Sequence, residues 1–89
     1  MKTISITVKG KVQGVYFRHF TKTKADTIGI TGTVKNLSNG DVFIVATGEE
    51  YQLNDLLLYC KQGPPRAVVT ELIKEDVPLQ QFNGFEVMH

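Results

Sequence analysis

The sequence predicts an α+β sandwich of the split βαβ type, one antiparallel-rich sheet with both helices on one face. Three observations point there. Four runs alternate apolar and polar residues or are rich in β-branched ones, as half-buried strands require. Two longer runs carry apolar residues at helical spacing, and turn residues fall between the runs. The resulting order, β-α-β-β-α-β with a short strand after it, is the ferredoxin-like plan.

The elements follow in order. In "TISITV", Ile4, Ile6 and Val8 share one face and Thr3, Ser5 and Thr7 the other, which reads as a half-buried strand. From Phe17 to Ile28, the residues Phe17, Phe20, Ala25 and Ile28 fall on one helical face. Phe17 and Phe20 are expected to pack that helix on the sheet, and Gly29 is a natural stop. "ITGTVKN" turns Ile30, Gly32 and Val34 inward, and "VFIVA" returns after the hairpin pair Asn39-Gly40. A second helix runs from about Glu49 to Gln62, with Leu53, Leu56, Leu57 and Cys60 in its stripe. Glu49 and Glu50 favour its start through the helix dipole, and Gly63-Pro64-Pro65 ends it. "AVVTELIKE" is a fourth strand, and "FEV" a short C-terminal edge strand. No linker, repeat or low-complexity segment intervenes, so residues 1–89 read as a single domain.

The expected strand order is 4-1-3-2. Right-handed crossovers make strands 1 and 2 parallel, with strand 3 antiparallel between them. Their C-terminal ends then meet at one end of the sheet. The Gly10–Tyr16 loop and Asn36 should stand roughly 10 Å apart there, across one intervening strand.

Composition narrows the function classes. A formal charge of +1 argues against a general nucleic-acid or membrane surface. The charge is uneven, however. Lys2, Lys9, Lys11, Arg18, Lys22, Lys24 and Lys35 precede Asn36 and are opposed only by Asp26. Cys60 stands alone and can form no internal disulfide, which fits a reducing, cytoplasmic setting. The opening "MKTISITVKG" lacks the apolar core and cleavage site of a signal peptide, and no stretch is long enough to span a bilayer. A monomer is the default expectation, with the edge strands as the exposed pairing surface.

The stretch "GKVQGVYFR" sits where the first strand gives way to the first helix. Gly14 frees the backbone there for conformations closed to other residues. Backbone N–H groups of Gln13, Gly14, Val15, Tyr16 and Phe17 could then converge on one oxygen-rich anion at the positive end of the helix. Arg18 adds a planar donor fork matched to phosphate or carboxylate. A glycine-softened turn carrying a surface arginine is the plainer reading of such a loop, since loop–helix junctions bind anions without catalysis.

With "GTVKNLSNGDV", this stretch resembles the acylphosphatase family. The family's first signature is matched by Gly10, Val12, Gln13, Gly14, Val15, Phe17 and Arg18. Its second is matched by Gly32, Val34, Asn36, Gly40 and Val42, with Gly48 in place. "GPPRAVV" and the closing "FEV" extend the likeness over almost the whole chain. The resemblance implies metal-independent hydrolysis of small acyl phosphates to a carboxylate and inorganic phosphate, with no cofactor. It also implies that Arg18 and the Gln13–Phe17 amides hold the phosphoryl group, while Asn36 positions the attacking water. Thr33 departs from the pattern, standing where the family often has an aromatic or aliphatic residue. By strand alternation it lies opposite the face of Val34 and Asn36, so it bears on rate and preference rather than reaction type.

Other residues have plainer roles. His19 is turned about 100° from Arg18 on the helix and reads as a surface or supporting residue rather than the catalytic base. His89 is expected to fray at the terminus, and Cys60 to belong to the core. No His/Cys/carboxylate group has metal-ligand spacing. RNA binding is disfavoured because the strands corresponding to an RNA-binding sheet offer only Phe43 for stacking. The remaining rival is a non-catalytic phosphate-binding regulatory module of the same fold. The presence of both Arg18 and Asn36 favours the enzyme.

Overall fold

The first strand runs on to the loop, with an irregularity in its pairing at Lys9/Gly10. In the computed structural model, which describes residues Met1–His89, β1 spans Lys2–Lys11. It is followed by α1 (Phe17–Ile28), β2 (Thr31–Asn36), β3 (Val42–Gly48), α2 (Glu50–Gln62), β4 (Val68–Val77) and β5 (Phe85–Val87). The sheet order is β4-β1-β3-β2-β5. Strand β3 pairs antiparallel with both β1 and β2, so those two are parallel as expected. Strand β5 adds to the β2 edge in parallel.

Ile4, Ile6 and Val8 are fully buried, and they meet Val42, Ile44 and Ala46 of β3 beneath Leu53, Leu56 and Cys60 of α2 in one core cluster. Fully burying a large aliphatic side chain stabilises by ~2 kcal/mol, so this cluster supplies the main cohesion of a chain without disulfides. Gly32 shows how closely the sheet is built. A Cβ there would overlap the Val45 carbonyl, and φ is +149°. Glycine is therefore a requirement of the β2–β3 pairing.

Three details depart from the pattern read along the chain. The opposite face of β1 is not open, because Thr3 and Ser5 are buried as well. The connection from β4 to β5 must pass from one edge of the sheet to the other, and Gln80 fastens it on the way. Its carbonyl accepts from Thr47 Oγ1 at 2.7 Å, and its N–H donates to Thr3 Oγ1 at 2.9 Å. Secondly, Phe20 does not face the sheet. It stacks on Tyr59 of α2, with ring centroids 4.1 Å apart and planes 8° from parallel. Thirdly, the central buried position of α1 belongs to Thr21, between Phe17 and Ala25. Its hydroxyl donates to the Phe17 carbonyl at 2.9 Å, which offsets much of the cost of burying a polar group.

Candidate active site

The parallel placement of β1 and β2 brings two distant pieces of sequence to one end of the sheet. Val8 and Asn36 both pair with Val42, so Asn36 stands level with the end of β1, one strand away. The chain beyond β1 turns into α1 through Gly14 at φ +73° and Tyr16 at φ 71°, ψ 17°. Tyr16 is the only residue other than glycine with positive φ. That conformation costs an L-residue ~1–2 kcal/mol, and it is held at the turn that aims the helix start. A Cβ on Gly14 would meet nothing within 4 Å, so the glycine answers to its backbone angle and leaves the space above it open.

The start of α1 is left uncapped. No side chain hydrogen-bonds its first amides, and its first turn holds no acidic residue. No amide from Gln13 to Phe17 donates to any turn, loop, cap or side-chain acceptor. The helix end, with its partial positive charge, borders a cleft of about 600 Å³. Gly14, Tyr16, Phe17, Arg18 and Asn36 line it. His19, Lys22 and His89 complete the polar part of its wall, and no acidic side chain lines it. This is an electropositive site that can take an anion and offer it both backbone and guanidinium donors.

Gln13 and Val15 are in the loop but do not line the cleft with their side chains. Val15 is buried in the core. The Gln13 amide donates to the Leu37 carbonyl at 2.7 Å and the Asp41 carbonyl at 2.9 Å. It thereby ties the loop to the β2–β3 hairpin that carries Asn36. The hairpin is itself fixed by Asp41, whose carboxylate accepts from Lys9 Nζ at 2.8 Å and Asn39 Nδ2 at 3.1 Å. The hydrogen bond to Asp41 raises the pKa of the Lys9 ammonium above its ordinary value. This bracing function of Gln13 had no local signal in the sequence, because its partners lie more than twenty residues away.

His89 does not fray as expected. Met88 N–H donates to the Val34 carbonyl at 2.8 Å, pinning the tail beside β2. Arg18 Nη1 donates to the Met88 carbonyl at 3.0 Å and lies 3.3 Å from His89 Nδ1. His19 is exposed at the rim, edge-on to Tyr16 with ring centroids 5.9 Å apart. Asn36 makes no side-chain hydrogen bond within the protein, leaving its amide available to the cleft. Thr33 pairs with Val45 and Glu86, on the strand face opposite the buried Val34. Cys60 lies in the core, where burial pushes its thiol pKa up to about 12, so it is no nucleophile. No three His, Cys, Asp or Glu side chains are grouped to hold a metal.

Comparison with known proteins agrees with this geometry. The family model described as Acylphosphatase matches residues 4–87. An acylphosphatase of Marinobacter nauticus is 49% identical over 83 residues, covering 92% of this chain and 90% of its own. The structure of an acylphosphatase from Coxiella burnetii superposes with a TM-score of 0.94 at 41% identity, covering 98% of this chain and 92% of that one. The crystal structure of acylphosphatase from Bacillus subtilis gives a TM-score of 0.97 at 34% identity, with 100% of both chains covered. A match that spans the strands, both helices and the cleft, in sequence and in shape alike, leaves one conclusion: the chain belongs to the acylphosphatase family.

Proposed function

We propose that the cleft between α1 and the end of β2 hydrolyses small acyl phosphates, with the division of labour set by where each donor stands. The phosphoryl group sits over the start of α1. Its oxygens accept from the Gln13–Phe17 amides and from Arg18, where preorganised donors stabilise the charge that develops during transfer. Asn36 orients a water against phosphorus. The water oxygen forms the new P–O bond while the bond from phosphorus to the acyl oxygen breaks, releasing a carboxylate and inorganic phosphate. A carboxylate is a good leaving group and needs no protonation. A neutral amide accepts and donates hydrogen bonds without titrating near neutrality, so Asn36 orients the water and the proton departs to phosphate or solvent.

The observation that carries this reading is the set of loop amides without protein acceptors beside Arg18, in a segment whose Gly14, Tyr16 and Phe17 line one cleft with Asn36. The chain is further read as a monomer. The free edge of β4 carries Glu71, Lys74, Glu75 and Asp76, charges that oppose edge-to-edge pairing. Pairing of two copies about Ile73 would set Glu71 opposite Glu75.

The test is hydrolysis of benzoyl phosphate with a chelator present throughout. Arg18→Ala and Asn36→Ala should each lose about 10²–10³-fold in rate, the usual cost of removing one preorganised transition-state donor. Arg18→Ala should also lose affinity for inorganic phosphate, while Asn36→Ala should keep it. Full activity in Asn36→Ala would remove the water-positioning role. Phosphate binding without turnover in the wild type would leave a non-catalytic anion site.

A further inference from the structure

Tyr16 is the loop residue that phosphoryl binding explains least. Every other residue with positive φ is glycine, and a glycine would make this turn without the strain. The Tyr16 ring is nevertheless 79% exposed, set edge-on to His19. Tyr16 and His19 line two hollows. One is the cleft with Arg18, Lys22 and Asn36. The other, of about 270 Å³, is walled by Phe20 and Thr23 of α1 and by Tyr59 and Pro64 on the α2 side. No Lys, Arg, Asp or Glu lines this second hollow, and the Thr23 hydroxyl already donates to the His19 carbonyl at 3.0 Å. The two meet along the start of α1, the cleft extending toward Asn36 of β2 and Val87 of β5, the hollow toward α2.

We propose that Tyr16 and His19 carry the acyl group of the substrate out of the cleft into this hollow, and so favour acyl phosphates with an aromatic acyl group over small ones. The inference rests on the reading of the cleft as the phosphoryl site and of Asn36 as the water-positioning residue. In-line displacement sets the attacking water and the leaving oxygen on opposite sides of phosphorus. With the water on the Asn36 side, the acyl group leaves on the side away from β2, toward α2. Polarity changes along the same path. The anionic phosphoryl end meets Arg18, Lys22 and the helix start, and the carbon skeleton meets aromatic rings. The hollow falls just below the ~300–1,000 Å³ of sites that enclose a whole drug-sized ligand, which suits one ring or two fused rings. A ring laid on Tyr16 gains a stacked or edge contact that an acetyl group cannot make. The strained backbone thus holds an aromatic side chain at the junction of the two hollows.

The experiment measures kcat/KM for acetyl, benzoyl and 2-naphthoyl phosphate in wild type, Tyr16→Ala, Tyr16→Phe and Thr23→Asp. Each substitution is compared across the three substrates, which removes their differing intrinsic reactivity. Tyr16→Ala keeps every backbone amide, and it should lose about three- to tenfold more on naphthoyl than on acetyl phosphate, the scale of one aromatic contact. Benzoyl phosphate should fall between them. Tyr16→Phe keeps the ring and should keep the wild-type preference. Thr23→Asp puts a charge in the hollow, outside the cleft, and should likewise cost the naphthoyl substrate most. Equal losses on all substrates in Tyr16→Ala, a preference lost in Tyr16→Phe, or one untouched by Thr23→Asp would each overturn the proposal. Arg18→Ala, assayed on the same three substrates, separates the failures. If it keeps full activity on all of them, the reading of the cleft itself falls. If it loses rate on all three while Tyr16→Ala discriminates among none, only the acyl subsite falls.

Discussion

The two helices begin in opposite ways. Helix α2 closes its own start. Glu49 at the N-cap accepts from the amide three residues on, and Gln52 Oε1 accepts from Glu49 N–H at 2.8 Å, with Glu50 adding negative charge in the first turn. Helix α1 has none of this, since a tyrosine in a left-handed conformation precedes it and basic residues occupy its first turn. Both helices face the same physical problem of amides without intrahelical partners. One solves it with its own side chains, and the other leaves it open. Because β1 and β3 are antiparallel, the two starts lie at opposite ends of the sheet. In the proposed mechanism the self-capped end serves stability and the uncapped end serves chemistry.

That contrast can be broken by giving α1 the device that α2 has. His19 occupies the third helical position of α1, the counterpart of Gln52 in α2. His19→Glu places a carboxylate where it competes for the free amides. It should weaken inorganic phosphate binding about three- to tenfold, the equivalent of ~1 kcal/mol, without loss of thermal stability. Unaltered binding would mean that the helix start contributes little to the anion site. The reciprocal change removes the cap from α2. Glu49→Ala should cost ~1 kcal/mol in urea unfolding and leave KM for benzoyl phosphate unmoved. A rise in KM would show that the two ends are coupled.

A smaller effect probes the core between them. The Cys60 thiol ordinarily titrates near 9.0, and its folded pKa is about 12. The unfolded chain therefore ionises first as pH rises. The stability attached to the neutral thiol is complete below about pH 8.5 and falls above it, by ~1 kcal/mol near pH 10. Lys9, with its pKa raised by Asp41, acts in the same alkaline direction. Unfolding midpoints between those pH values should fall less steeply in Cys60→Ala, and an identical slope would exclude the thiol as a source.

Much of this was legible in the sequence because it depends on local pattern. Strand alternation set the order of elements, and the expected 4-1-3-2 order follows from crossover handedness. The same topology places Asn36 level with the end of β1, beside the loop. What escaped depends on partners distant in sequence. Gln13 looks like one more loop residue until the hairpin carbonyls lie within its reach. Thr21 is polar in the sequence but buried in the fold, because its hydroxyl bonds back to its own helix. Phe20 belongs to the seam between the helices, a surface that exists only once Tyr59 is in place. His89 is terminal by position, and the bond from Met88 to Val34 brings it to Arg18.

The most direct measurement of the central claim is a titration of the backbone amides with inorganic phosphate, followed by nuclear magnetic resonance. The account predicts saturable shifts concentrated at Gln13–Phe17 and the Arg18 side chain, with the amides that open α2, Glu49–Leu53, unmoved. Shifts of equal size at both helix starts, or none at the loop, would contradict it.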